Sequence, residues 1–259
     1  MSRRYFGGMI SATTPTTTFR TATGVWRLTQ EIQSQQAGNW PVTPLDPSFP
    51  YNSLLLSGST PSTNTSPFNA DASTNNSLIT IVGDTKPNNV NPYTPGYYSN
   101  YLNGSSSYLS STLSALGSGD FTIEYWIYPT ADVNQYIFVL GTNWGDATGV
   151  QIINYTGQLS MTVGSASSTA LLANPAINRW YHHAVVRSGS SVKFYVNGVA
   201  SAVTLTTSTD LTATAFKLGY GTAGAWASFI GYMSDLRITK GVARYTTTFT
   251  PPTTAHLIS

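Results

Sequence analysis

The chain has no cysteine, which excludes a disulfide framework and any thiolate metal site and leaves stability to a packed core or to neighbouring subunits. Charge is nearly as scarce. Asp, Glu, Lys and Arg make up 8% of the 259 residues, against roughly 25% in an ordinary globular domain. The formal net charge is +2 and no basic cluster is larger than Arg3-Arg4, so nothing is built to track a phosphate backbone and nucleic acid is excluded as a partner. No apolar run approaches the ~18 residues of a membrane span, and no membrane insertion is expected. The opening Ser2-Arg3-Arg4-Tyr5-Phe6 superficially resembles a twin-arginine export signal. Residues 7–15 supply neither an apolar stretch nor a cleavage site, so an ordinary basic arm is the expectation. Glutamate occurs twice, at 31 and 124, and histidine three times, at 182, 183 and 256. Acid–base chemistry has few groups to draw on.

What the chain does have is apolar and aromatic mass, 41% hydrophobic residues with Tyr alone occurring 16 times. With so little charge, the surface must be made polar by Ser, Thr, Asn, Gln and Gly, a choice that suits β-rich extracellular and virion proteins. Residues 1–52 read as an arm or attachment segment. They hold a Thr-rich run from Thr13 to Thr23, a short helix-compatible piece from Trp26 to Gln36 with Leu28 and Ile32 on one face, and prolines at 41, 44, 47 and 50. Residues 53–259 change to short β runs separated by turn residues, the sequence form of a sandwich or barrel. The clearest are 121–128, 136–140, 150–153, 159–163, 181–187, 191–196, 215–218 and 230–238. In the first, Phe121, Ile123, Tyr125 and Ile127 alternate with Thr122, Glu124, Trp126 and Tyr128, which predicts an apolar face and a polar face carrying large aromatics. Asn197-Gly198 between Val196 and Val199 predicts a tight hairpin.

Several of these blocks, in order, resemble the laminin-G-like group of concanavalin A-like jelly rolls: SLLL at 53–56, YSNYLNGSSSYL at 98–109, DFTIEYWIYP at 120–129, RWYHHAVVR at 179–187, FYVNGV at 194–199, and FIGYMSDLRITKGVARY at 229–245 with FTPP at 249–252. The resemblance implies an all-β fold, a concanavalin A-like jelly-roll β-sandwich of antiparallel sheets, here preceded by an N-terminal extended arm containing a short helix. The insert that runs from FNADASTNN at 68–76 through NPYTPG at 91–96, and GVWRL at 24–28 with AGNWP at 37–41, resemble segments of marine bacteriophage structural proteins. They imply a virion setting. Fold alone does not assign a function.

The same jelly roll carries glucanases, and a retaining glycosidase needs two carboxylates about 5 to 5.5 Å apart. Glu124 is followed on its strand face by Trp126 and Tyr128, Glu31 lies outside the sandwich, and Asp120 and Asp132 sit at opposite ends of the strand, so no catalytic residues are assigned and no enzyme is expected. His182 and His183 are adjacent on a strand and face opposite sides. One is expected to pack or hydrogen-bond between the sheets and the other to point outward. Related laminin-G-like and pentraxin domains bind calcium with Asp, Asn and carbonyls at one rim. Here Asn103 stands where the family often has Asp, and Asp146 is an unaccompanied acid, so no metal site is assigned; calcium is the single cofactor considered, and none is expected.

A neutral, aromatic-rich surface suits glycans, whose apolar C–H faces stack on Trp or Tyr while hydroxyls bond to neutral polar groups. The loop aromatics Trp144, Trp226, Tyr220 and Tyr97, with Tyr93 and Tyr98 beside the last, are the expected ligand-binding residues. Trp26, Trp40, Trp126 and Trp180 are assigned to packing. The expected function is a phage virion surface protein, located on the outside of the particle as a tail fibre or capsid decoration. Residues 1–52 would anchor it to other virion proteins, in many copies or as a homo-oligomer, and the sandwich would offer weak multivalent adhesion to host surface polysaccharide. A purely structural capsid or tail decoration protein without glycan binding is the alternative.

Overall fold

The structure, a computed structural model, describes residues 16–17, 22–23, 46–58, 70–93, 96–173, 175–220 and 227–257. The chain divides into two units, Met1–Pro47 with Ser259, and Ser48–Ile258. In the first, strands β1 (Thr16–Thr17) and β2 (Ala22–Thr23) pair antiparallel. The helix expected at 26–36 lies outside the described residues, as do Trp26, Trp40 and Trp226.

The second unit is built of strands β3 (Asn52–Leu56), β4 (Thr80–Val82), β5 (Lys86–Asn88), β6 (Ser99–Asn103), β7 (Tyr108–Thr112), β8 (Phe121–Pro129), β9 (Gln135–Leu140), β10 (Val150–Tyr155) and β11 (Gln158–Val163). It continues through β12 (Ala166–Ala173), β13 (Tyr181–Ser188), β14 (Ser191–Val196), β15 (Val199–Thr206), β16 (Ala215–Leu218), β17 (Ala227–Ser228) and β18 (Ile230–Lys240). They form two eight-stranded sheets. The first runs β15-β14-β13-β8-β18-β6-β5, with β3 also on β18. The second runs β12-β11-β10-β9-β16-β7-β4, with β17 on β9. Every pairing is antiparallel except the two-residue β17, which runs parallel to β9. The expected jelly-roll sandwich is the observed fold, and each strand read from alternation is present.

Period-two alternation fills the space between the sheets. Phe121, Ile123, Tyr125 and Ile127 of β8, Val185 of β13 and Phe194 of β14 meet Phe138 and Leu140 of β9, Ile152 of β10, Met161 of β11 and Phe216 of β16 in one buried core. The Asn197-Gly198 hairpin forms as the sequence predicts, with both residues at positive φ (50° and 80°), the backbone of a type I′ turn. A Cβ at Gly198 would stand 1.7 Å from the Phe249 carbonyl oxygen, because the C-terminal tail crosses there and the Phe249 N–H donates to the Gly198 carbonyl at 3.0 Å.

Two features of the first sheet position everything that follows. Strand β18 carries a bulge between Ser234 and Arg237, with Asp235 at φ 55°, so its first half pairs with β6 and its second half with β3. The tail after β18 then covers part of the sheet's outer face. Tyr245 and Phe249 pack on Ala184, Val186 and Tyr195, and the Tyr245 and Phe249 rings stack at 3.6 Å.

Candidate functional site

Where the tail does not reach, the outer face of the first sheet carries a row of aromatic rings running across the strands. The alternation that sends Ile127 inward turns Tyr128 outward. Register places Tyr232 of β18 opposite Tyr128 and also opposite Tyr101 of β6, and Lys86 of β5 opposite Tyr101. Trp180 stands immediately before β13, whose first residue, Tyr181, pairs with Ile127. Ring centroids are 5.5 Å apart from Trp180 to Tyr128, 5.7 Å from Tyr128 to Tyr232 and 5.4 Å from Tyr232 to Tyr101. Lys86 Nζ closes the row 5.9 Å from the Tyr101 centroid and is paired with Asp84 at 3.0 Å. All four rings are half-buried, so each offers surface to solvent while its neighbours hold it in place. Gly231 makes the crossing possible. At φ 142° its missing side chain leaves room for the Tyr128 carbonyl oxygen, which a Cβ would meet at 2.1 Å.

Beside the row lies a second aromatic group. Trp126, one step along β8 on the same face, has Tyr93 5.9 Å away, and Tyr93 has Tyr97 at 5.3 Å. Asn89, Asn91, Tyr93, Tyr97 and Tyr98 line a cavity of about 430 Å³, within the size range of small-ligand sites.

Beneath the tail the same face holds a buried charge cluster. The Glu124 side chain is 0% exposed. Its Oε1 accepts from Arg237 Nε at 2.9 Å and Nη2 at 2.7 Å and lies 3.2 Å from Arg244 Nε. Its Oε2 accepts from the Tyr245 hydroxyl at 2.7 Å and stands 3.4 Å from His182 Nε2 and 3.9 Å from His256 Nε2. Asp235, thrown onto this face by the bulge, accepts from the Tyr93 hydroxyl at 2.6 Å and from the His256 N–H at 3.1 Å. Burial pushes the Glu124 carboxyl up, but Arg237 foremost, then His256 and His182, holds it well below the usual carboxylate range. Burial and then Glu124 push the Tyr245 phenol up, and burial and then Asp235 do the same to Tyr93. A carboxylate enclosed by two arginines and shut from water is placed to clamp the tail.

The histidines divide as the sequence implies, with one correction. His183 lies between the sheets, a ring nitrogen 3.4 Å from the Tyr125 hydroxyl, and burial, then His182, pushes its pKa down to about 3. His182 faces the other way but does not reach solvent, because Trp126 (5.2 Å) and Phe249 (5.7 Å) cover it.

Of the loop aromatics expected to bind ligand, the three that are described, Tyr97, Trp144 and Tyr220, are not brought together. Tyr97 borders the cavity beside the row. Trp144, in the loop from β9 to β10, packs half-buried on Tyr136, Val139 and Ile153 of the second sheet, and its backbone N–H donates to the Tyr136 hydroxyl at 3.2 Å. Tyr220 has Tyr108 at 4.7 Å and Lys217 Nζ over its ring at 4.1 Å, also on the second sheet. Trp144→Ala is therefore expected to cost about 2 kcal/mol of stability through lost packing, read as a lower unfolding midpoint in urea, with glycan binding unchanged. Trp180, assigned from the sequence to packing, does pack on Tyr128, and through that contact stands at one end of the row. Asp146 is held within its own loop: the N–H and hydroxyl groups of Thr142 and Thr148 all donate to it, at 2.6 to 3.0 Å, and among the described residues no group of three or more His, Asp or Glu side chains could hold a metal ion. Burial opposes ionisation, but these bonds bring its pKa down to about 2. Asn103 Oδ1 likewise closes its own turn, accepting from the Ser105 N–H at 3.0 Å.

Residues 103–244 match the laminin-G family described as the concanavalin A-like lectin/glucanases superfamily. The chain belongs to that superfamily. No curated protein matches this laminin-G-like chain in sequence. Among solved structures it is similar to domain 4 of AbnA, an extracellular arabinanase of Geobacillus stearothermophilus solved in complex with arabinotriose. The identity is 18% and the TM-score 0.51, over 73% of this chain and 92% of that one. It is also similar to the binding domain of botulinum neurotoxin serotype D (12%, TM-score 0.53, 74% of this chain). A Trypanosoma rangeli sialidase mutant displaying trans-sialidase activity is a third (11%, TM-score 0.51, 80% of this chain). The laminin-G-like chain spans about half of the toxin domain (49%) and a third of the sialidase (33%). At these identities the likeness is one of fold, a lectin/glucanase-like carbohydrate-binding fold.

Proposed function

We propose that this laminin-G-like chain is a non-catalytic carbohydrate-binding protein whose ligand lies across Trp180, Tyr128, Tyr232 and Tyr101. The observation that carries the proposal is the row itself. Four partly exposed aromatic residues side by side on a rigid sheet form a stacking platform for sugar C–H faces, held by register and not by mobile loops. The fold shared with an arabinanase domain that holds an oligosaccharide supports this reading. The absence of a catalytic role is supported by Glu124, the sandwich's one glutamate, being locked between Arg237 and Arg244. Tyr97 and its cavity extend the platform toward Trp126.

The setting we propose is the outer surface of a bacteriophage particle, as a tail fibre or capsid decoration. Residues 1–52 attach the chain to other virion proteins, and many copies multiply a weak single-site affinity for host polysaccharide. Support comes from the charge-poor, Thr- and Asn-rich composition and from the segments at 24–28, 37–41, 68–76 and 91–96 that resemble phage structural proteins.

The test is a glycan screen of the full chain displayed multivalently on beads, with the Tyr128→Ala/Tyr232→Ala double variant in parallel. Selective glycan capture is expected from the parent, weakened at least roughly tenfold in the double variant. A blank screen, or capture that the double variant retains, contradicts the assignment and favours a purely structural decoration protein.

A further inference from the structure

The geometry of the row narrows the class of ligand, and this inference rests on the carbohydrate-binding reading above. We infer that the row takes single, soluble, uncharged polysaccharide chains, and neither flat crystalline polysaccharide surfaces nor polyanionic ones. The first ground is ring orientation. Trp180 and Tyr128 are inclined at 59°, Tyr128 and Tyr232 at 75°, and Tyr232 and Tyr101 at 51°. No two neighbouring rings share a plane. A crystalline polysaccharide presents its sugars as coplanar rows and is matched by coplanar aromatic rings; here successive rings turn face then edge, which a flat lattice cannot follow. An isolated chain can follow it, because its glycosidic torsions let consecutive sugars turn. Four adjacent strands spaced by about 4.8 Å make the platform roughly 15 Å long, room for a short run of sugars.

The second ground is charge. The members of the row are three phenols and an indole. Among the described residues, the cations beside it are Arg179, next to Trp180 in the chain, and Lys86 at the far end, already paired with Asp84 at 3.0 Å. The arginines of the same face, the buried Arg237 and the partly exposed Arg244, are spent on Glu124. A polyanion needs a continuous basic stripe to displace its counter-ions, and among the described residues the row has none. Stacking and hydroxyl hydrogen bonds are left as the binding terms, and neither is strongly screened by salt.

Affinity electrophoresis of the full chain through gels containing soluble β-glucan or galactomannan, or alginate as the polyanion, tests the inference alongside co-sedimentation with crystalline cellulose and chitin. Both are run at low and high sodium chloride with Tyr128→Ala/Tyr232→Ala as the comparison. The expected result is retardation by at least one soluble neutral polysaccharide, unchanged by salt and lost in the double variant, with no sedimentation on crystalline material. Row-dependent sedimentation with cellulose or chitin, or row-dependent and salt-sensitive retardation by alginate, overturns the ligand class while leaving carbohydrate binding in place. No retardation or sedimentation with any of them, or retardation indifferent to the double substitution, overturns the carbohydrate-binding reading itself.

Discussion

Glu124→Ala is expected to destabilise the sandwich by about 3 to 5 kcal/mol, the usual cost of leaving a buried charge without its partner. At roughly 2 to 4 °C per kcal/mol for a domain of this size, the melting temperature should fall on the order of 10 °C. The reason lies in what would be left behind. Arg237, with its side chain 3% exposed, and Arg244, at 18%, would keep their charges on the sheet face with Oε1 gone, and the Tyr245 hydroxyl would lose its acceptor. The tail is anchored at the same place. Val242 accepts from the Thr122 hydroxyl at 2.9 Å, and the Arg244 N–H donates back to that hydroxyl at 2.9 Å, so loosening Tyr245 should expose Ala184 and Val186 beneath it. Differential scanning calorimetry of Glu124→Ala and Glu124→Gln checks this, the amide being expected to fall between alanine and the parent. An unchanged melting temperature in the alanine variant would mean that Glu124 does not clamp the tail, and would reopen a catalytic role for it.

Acid should weaken the fold by several kcal/mol between pH 7 and pH 3, beginning well above the ordinary carboxylate range. Burial, partly offset by Asp235, lowers the His256 pKa to about 4, and His183 lies at about 3, against about 6.5 in an unfolded chain. Both pKa values are depressed on folding, so below pH 6.5 the unfolded chain binds the extra protons and stability falls with pH, through about 4 for His256 and about 3 for His183. Each unit of difference is worth about 1.4 kcal/mol. Glu124 acts in the same direction at lower pH. Its carboxyl is depressed in the folded state, so its contribution is present above the unfolded carboxylate range and is lost as pH falls through its folded value. Urea unfolding midpoints measured across this range should decline steadily, and His256→Gln should flatten the upper part of the curve. A midpoint constant from pH 7 to 4 would contradict the buried, neutral state of His256.

What could be read from the sequence followed the direction of the chain. The strand at 121–129 announces itself by alternation, its aromatic outer face included, and Asn197-Gly198 announces its hairpin because type I′ geometry admits few other pairs. What could not be read runs across the chain. Tyr101, Tyr128, Trp180 and Tyr232 come from four separate segments, and only the register of β18 against β8 and β6 lines them up. A shift of one residue would turn Tyr232 into the core. The charge cluster is hidden for the same reason. A search for a second carboxylate along the strand of Glu124 finds none. Asp235 arrives from the neighbouring strand, and only because a bulge, unsignalled by Ser234-Asp235-Leu236, turns it onto the face that Arg237 occupies. Loop position misled for Trp144, since flanking Gly and Asn suggest exposure while Tyr136 and Val139 supply an apolar bed. A usable signal lay in the outward half of the 121–129 alternation. Trp126 and Tyr128 are costly to expose without purpose, and asking what else reaches that face leads to the row.

Ligand contact along the row is tested by a fluorine NMR titration of the chain labelled with 3-fluorotyrosine, using a polysaccharide that it binds, with resonances assigned by single Tyr→Phe substitutions. Tyr101, Tyr128 and Tyr232 are expected to shift with a common saturation curve while Tyr220 and the core Tyr125 stay still. Shifts confined to Tyr220 and Tyr108, with the row unmoved, would place the ligand on the second sheet and contradict contact along the row.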